Sequence, residues 1–214
     1  MKASEFNQQI AAACTTPLKT VTVYTRLLKE AGLITSGKGG RAAPDMTPLD
    51  AARVLIAILT TSSPSQCVER VRRFGPIPYA PSYKKQIRGY KVMEPEDFFG
   101  MFEGETLEDV LAFMFALPAK IGIEESAVWF HKNPFHLRVV DFFILAELFR
   151  WIKDGDEIVG ELCIPFKGQF KAPEGFTPIS GGVRTERSIS NSVFMIVGIA
   201  LATGKDMFDK GKAE

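Results

Sequence analysis

Apolar residues recur every three or four positions through the first third of the chain, the period of amphipathic helices. Leu18, Val21, Thr25 and Leu28 form one such stripe. Thr16 reads as its cap and Pro17 as its first helical residue, where a missing N–H costs nothing. Ala31 and Gly32 end the helix, with Gly32 the expected left-handed stop. Upstream, SEFNQQIAAAC (4–14) opens on a Ser4 cap and carries Phe6, Ile10 and Ala13 at helical steps. A turn at Cys14-Thr15 joins the two helices. Leu33 and Ile34 step back toward a core, and the glycine- and lysine-rich TSGKGGR that follows reads as a flexible basic loop.

The pattern continues beyond the loop. Thr47-Pro48-Leu49-Asp50 combines a cap, a proline at the first position and an acidic third position, close to a capping box. Leu49, Ala52, Leu55, Ile56 and Leu59 form the stripe behind it. Ser63-Pro64 repeats the start signal, Val68, Val71 and Phe74 face inward, and Gly75 is the stop. Arg70, Arg72 and Arg73 fall on the outer face, either solvated or set against phosphates. Residues 75–92, rich in proline and tyrosine with basic residues between, read as a linker at a domain boundary. The same composition also suits a segment lying along a nucleic-acid backbone.

In the second half, Thr106 caps a helix carrying Leu107, Val110, Leu111, Met114 and Leu117. Phe98, Phe99, Phe102, Phe113 and Phe115 crowd this region as core, ligand pocket or subunit contact. Residues 127–131, 157–166 and 182–189 carry the β-branched and aromatic residues of strands. The long apolar run 139–152 reads as a buried helix. Residues 190–203 read as a capped helix apolar nearly all round, either central to the fold or packed on another subunit. The charged tail from Gly204 reads as frayed.

Composition narrows the class. With 214 residues and 46% apolar content the chain can bury a sizeable core. No apolar run reaches the roughly 18 residues of a membrane span, and the first residues lack the apolar core of a secretory signal. Cys14, Cys67 and Cys163 are far apart and unpatterned, which points to a reducing cytoplasm and away from a zinc cluster. Formal net charge is +1, yet residues 1–90 hold 13 Lys/Arg against 5 Asp/Glu and the remainder 13 against 20. A basic front and acidic back suit a chain whose first part meets a polyanion, although surface charge also wanders without purpose.

Two short helices joined by a tight turn are the helix-turn-helix unit, whose second helix enters the major groove. With Val21, Thr25 and Leu28 inward, Lys19, Thr22, Val23, Arg26 and Lys29 lie on or beside the outer face. There Thr and Arg can donate to base edges or phosphates, and Val23 can meet a thymine methyl. Gly37, Gly39 and Gly40 let the backbone approach a duplex while Lys38 and Arg41 reach phosphates. A phosphate-binding NTPase loop is excluded: there is no GxxxxGK[ST], and Lys38 follows a helix end. His131 and His136, beside Glu124, Glu125 and Asp141, are separated by the Asn133-Pro134 turn and so lack the spacing of a helical zinc pair. No nucleophile elbow or dinucleotide fingerprint occurs.

Residues 10–47, reading LLKEAGLI, TSGKGGRAAP and DMT, resemble the DNA-reading part of winged helix-turn-helix transcription regulators. More loosely, the chain resembles uncharacterised helix-turn-helix proteins of phages and prophages. The resemblance places Thr20, Thr22, Val23 and Arg26 at the groove and makes Lys38, Gly39, Gly40 and Arg41 the wing. The usual first helix is missing, so a later segment must cover that side of the core.

The expected fold is α+β: a winged helix-turn-helix-like domain over 1–75, a linker over 76–92, and a dimerisation or ligand-sensing domain with a small antiparallel sheet and apolar helices over 93–214. The expected function is that of a cytoplasmic, homodimeric transcriptional regulator binding double-stranded DNA through the 17–31 helix and the 35–43 wing. No cofactor, metal, membrane or enzymatic activity is expected, and a small-molecule effector has room in the second domain without a motif to mark it. Two alternatives stand beside it: a phage-type DNA-binding assembly or packaging protein, and a protein-interaction module or small enzyme that binds no DNA.

Overall fold

Phe6 and Ile10, one helical turn apart, are fully buried and set the inward face of α1 (Ala3–Ala13). The helix starts before Ser4, which lies inside its first turn; the Lys2 N–H donates to Glu5 Oε2 at 3.1 Å and closes that end. Thr15 takes a left-handed φ of 49°, and the Thr16 N–H donates to Ala11 O at 2.9 Å, which makes the turn tight. In α2 (Leu18–Glu30) no side chain caps the first turn. The expected Thr16 cap is absent because its hydroxyl donates backward to Cys14 O at 3.2 Å. Leu18 is exposed, and the buried stripe is Val21, Tyr24, Thr25 and Leu28. Gly32 has φ +69°, and its N–H donates to Lys29 O while that of Leu33 donates to Leu28 O. That pair of bonds is a Schellman stop.

The computed structural model describes residues 1–37, 42–80, 91–92, 105–140, 144–154, 157–169 and 186–208. Lys38, Gly39, Gly40 and Arg41 lie outside them, and the described parts of 33–47 contain no strand. Asp50 is buried and accepts from the Thr35 N–H at 2.8 Å and the Thr47 N–H at 2.7 Å. One carboxylate thus ties the segment after α2 to the capping box that opens α3 (Pro48–Thr60). Ser63-Pro64 starts a 3₁₀ turn over Pro64–Gln66, after which α4 (Cys67–Phe74) buries Cys67, Val71 and Phe74.

The 75–92 crossing is pinned at both ends. The Ala80 N–H donates to Pro165 O at 2.8 Å. Lys91–Val92 (β1) pairs in parallel with Leu162 and Cys163. Thr106 and Asp109 form the capping box of α5 (Leu107–Ile121), as the spacing predicts. Gly122, at φ +97°, separates it from α6 (Ile123–Lys132). Residues 127–131 are therefore helical, not a strand. Glu124 and Glu125 favour the helix start, and the buried Ser126 and Phe130 lie four residues apart, a helical step that the aromatic content conceals.

The second correction is larger. The apolar run 139–152 is no helix but parts of two strands, β2 (Phe135–Val140) and β3 (Leu145–Asp154). Its period is two: Val139 faces Ala146 and Leu137 faces Leu148 on the core side, while Arg138 pairs with Glu147 on the other. Its 14 residues match the usual length of a helix rather than of one strand, which is why the pattern reads as helical. With β4 (Glu157–Lys167) and β5 (Glu186–Ser190) the sheet has the order β1-β4-β3-β2-β5. All pairings are antiparallel except that of β1, so the described sheet is mixed. Of the strand expected at 182–189, residues 182–185 lie outside the described ones, as do Phe98, Phe99, Phe102 and Asp141.

The last helix, α7 (Ser192–Thr203), is central. It packs on α5 and α1, and its Phe194 ring lies 4.9 Å from Phe115 and 5.5 Å from Phe135. No side chain caps it; the Asn191 amide nitrogen donates instead to Phe130 O at 2.7 Å. α1 is covered by α7, and α2 by α3 and α4, so the first two helices are packed from both halves of the chain. Buried side chains from Phe6 to Val197 form one cluster. Of the charged tail, residues 204–208 are described and are held: the Met207 N–H donates to Gln9 Oε1 at 2.9 Å and Gln9 also bonds Asp206. Among the described residues no helix is long and apolar enough to cross a membrane.

Candidate nucleic-acid interface

Burying Val21, Tyr24, Thr25 and Leu28 turns the opposite face of α2 to solvent, and Lys19, Thr22 and Arg26 stand exposed on it. Val23 and Lys29 are half-buried at its margins. The Thr22 hydroxyl donates to Leu18 O at 2.8 Å, four residues back, so its proton is engaged and its lone pairs stay available to a donor on a ligand. Arg26 Nε lies 3.7 Å from Glu30 Oε1, with both side chains more than 60% exposed. A pair so exposed contributes about 0.3–0.5 kcal/mol and gives way readily to a phosphate. Glu30 nevertheless puts a negative charge on the face. Beside the helix, a groove of about 470 Å³ runs between α1 and α2, floored by Ala3, Asn7 and Thr25 and rimmed by Gln8, Leu18 and Arg26.

The structure brings Lys19, Thr22, Val23 and Arg26 onto one surface and leaves Lys29 at its edge. Thr20 does not join them. One residue turns the helix by about 100°, which carries the Thr20 side chain round to a different cleft, beside Tyr24 and Arg187. Lys38, Gly39, Gly40 and Arg41 fall outside the described residues. Arg72 and Arg73 are exposed on α4, which packs against α2.

The groups weighed for catalysis do not converge. His131 is exposed on the last turn of α6, whereas His136 lies on β2 with its ring stacked on Phe149 at 5.0 Å. Among the described residues no three metal-ligating side chains come together. The three cysteines form no disulfide, and burial pushes the Cys14 thiol up to about 12. Among the described residues the deeply buried acid of the sheet is Glu147, which accepts from Arg138 Nε at 2.9 Å across the β2–β3 pair. Its signal was present in the sequence as a lone acid at the two-residue period, but the helical reading of 139–152 hid it. Comparison of the chain with protein-family models, with curated proteins and with solved structures finds no match.

Proposed function

We propose that the protein binds double-stranded DNA through the outer face of α2, as a helix-turn-helix regulator of transcription. The observation that carries this reading is the exposure of Lys19, Thr22 and Arg26 on one helical face, on the second of two helices joined by a tight turn. Such a face presents two cations and a hydroxyl to a major groove, and the basic excess of residues 1–90 supplies the accompanying field. The loop at 35–43 would serve as the wing, and a homodimer would place two such helices one turn of DNA apart. A second reading, a protein-binding module, draws on the α1–α2 groove, where Leu18 is 45% exposed.

The two readings separate by salt. Duplex binding by the full chain, followed by fluorescence anisotropy against a selected site and a random sequence, should weaken steeply between low and physiological salt. Arg26→Ala should cost the selected site about tenfold or more, about 1–3 kcal/mol, and the random duplex much less. Equal losses on both duplexes would remove Arg26 from base reading. No saturable binding of either duplex at low salt would remove the function.

A further inference from the structure

On the flank of α2 away from Arg26 lies a cleft of about 480 Å³. Thr16, Thr20 and Tyr24, four residues apart, form one wall; the end of α3 gives Ile58 and Thr61, and the outermost described strand, β5, gives Arg187 and Ser188. The volume falls within the range of small-molecule sites. Among the described residues no acidic side chain lines it.

Its electrostatics have one sign. Arg187 Nη1 donates to Ile58 O at 3.1 Å, and among the described residues no carboxylate pairs with this guanidinium, which has five N–H donors in all. The first turn of α2, beside the Thr16 and Thr20 hydroxyls, has neither a side-chain cap nor an acidic residue, so its positive end is uncompensated. Thr20 and Ser62 line the cleft beside this charge, while Ile58, Leu59 and Ile189 supply apolar wall.

We propose that the cleft binds a small organic anion, a carboxylate or phosphate monoester, with Arg187 as counter-charge, the hydroxyls as hydrogen-bond partners and the apolar wall against its carbon skeleton. The site is independent of the DNA reading, since it lies off the Arg26 face. Bidentate pairing with a guanidinium suits either acid group.

Calorimetric titration of the full chain with citrate, ribose 5-phosphate and inorganic phosphate tests it. At least one organic anion should saturate the protein and bind at least tenfold more tightly than inorganic phosphate. Arg187→Gln should weaken that anion tenfold or more, Arg187→Lys by less, and Thr22→Ala not at all. Should Arg187→Gln fail to fold, the Thr20→Val/Ser62→Ala variant, which keeps the Ile58 bond, should still weaken binding several-fold. Absence of saturable binding by all three probes, or unchanged affinity in these variants, overturns the proposal. So does an Arg187→Gln variant that loses duplex binding but keeps its organic anion, because the cleft would then hold a DNA phosphate.

Discussion

Cys14 ends α1 with its thiol packed against the core, and desolvation holds its pKa near 12 against an ordinary value of 9.0. Tyr24, buried on α2, is raised as well, by burial foremost, with Arg187 opposing the rise. Both groups are neutral when protonated and both folded pKa values exceed the unfolded ones. Their contribution to stability is therefore complete below about pH 9 and is lost as pH climbs toward 12. Alkaline unfolding followed by circular dichroism should steepen through that window, and Cys14→Ala should flatten it. At pH 8 the native thiol should carry about a thousandth of the thiolate of a free cysteine. Iodoacetamide should accordingly modify Cys14 in urea and spare it in buffer; equal rates in both would refute the assignment. At this scale helical period alone put Lys19, Thr22 and Arg26 on the outer face of α2, and they are exposed there. The resemblance grouped Thr20 with them, whereas Thr20 lines a cleft with Tyr24 and Arg187, whose position another element sets.

Helix boundaries were the most legible elements, because their chemistry lies within four residues. Thr47 with Asp50 and Thr106 with Asp109 cap where the spacing said they would. Gly32 stops α2 at φ +69° with open space around a would-be Cβ, so Gly32→Ala meets no clash and pays only for the left-handed backbone. That cost is about 1–2 kcal/mol, and Gly32→Asn should cost less. Urea denaturation of the three proteins checks the order; an alanine variant as stable as the parent would mean the turn is not held left-handed. Where the sequence erred, in 127–131 and 139–152, the residues suit both structures. Trp129 and Phe130 are strand formers that sit in α6, and Leu145, Ala146, Glu147 and Leu148 are good helix formers that sit in β3. The deciding contacts came from partners: the Phe130 and Phe135 rings meet at 5.9 Å, and β3 is framed by β2 and β4.

For the whole molecule the decisive contact is between α7 and α5. Gly198 lets them meet: an added Cβ would lie 2.8 Å from Phe115 O and 3.1 Å from the Pro118 ring. In an isolated helix, Gly→Ala gains roughly 1 kcal/mol. Here the methyl would press on backbone and ring, and overpacking of this kind costs about 1–3 kcal/mol. Gly198→Ala should therefore be net destabilising in a thermal melt, and a raised Tm would show that α5 and α7 can move apart freely. The same packing brings both halves of the chain together. Arg53 on α3 pairs with Glu108 on α5 at 2.9 Å, and Glu108 holds the Arg53 guanidinium above its usual range. Gln9 on α1 accepts from the Met207 N–H.

By itself the sequence determined where α3 and α5 start, where α2 stops, which face of α2 meets water, and that helices and strands would share one chain. Each of these follows from backbone capping and side-chain period, forces that act within a turn or two. Only the tertiary structure decided that 139–152 is a strand pair, that α7 lies at the centre, and that Arg187 faces Thr20 across a cleft. Those outcomes depend on contacts between residues remote in the chain, whose burial and charge no local pattern records.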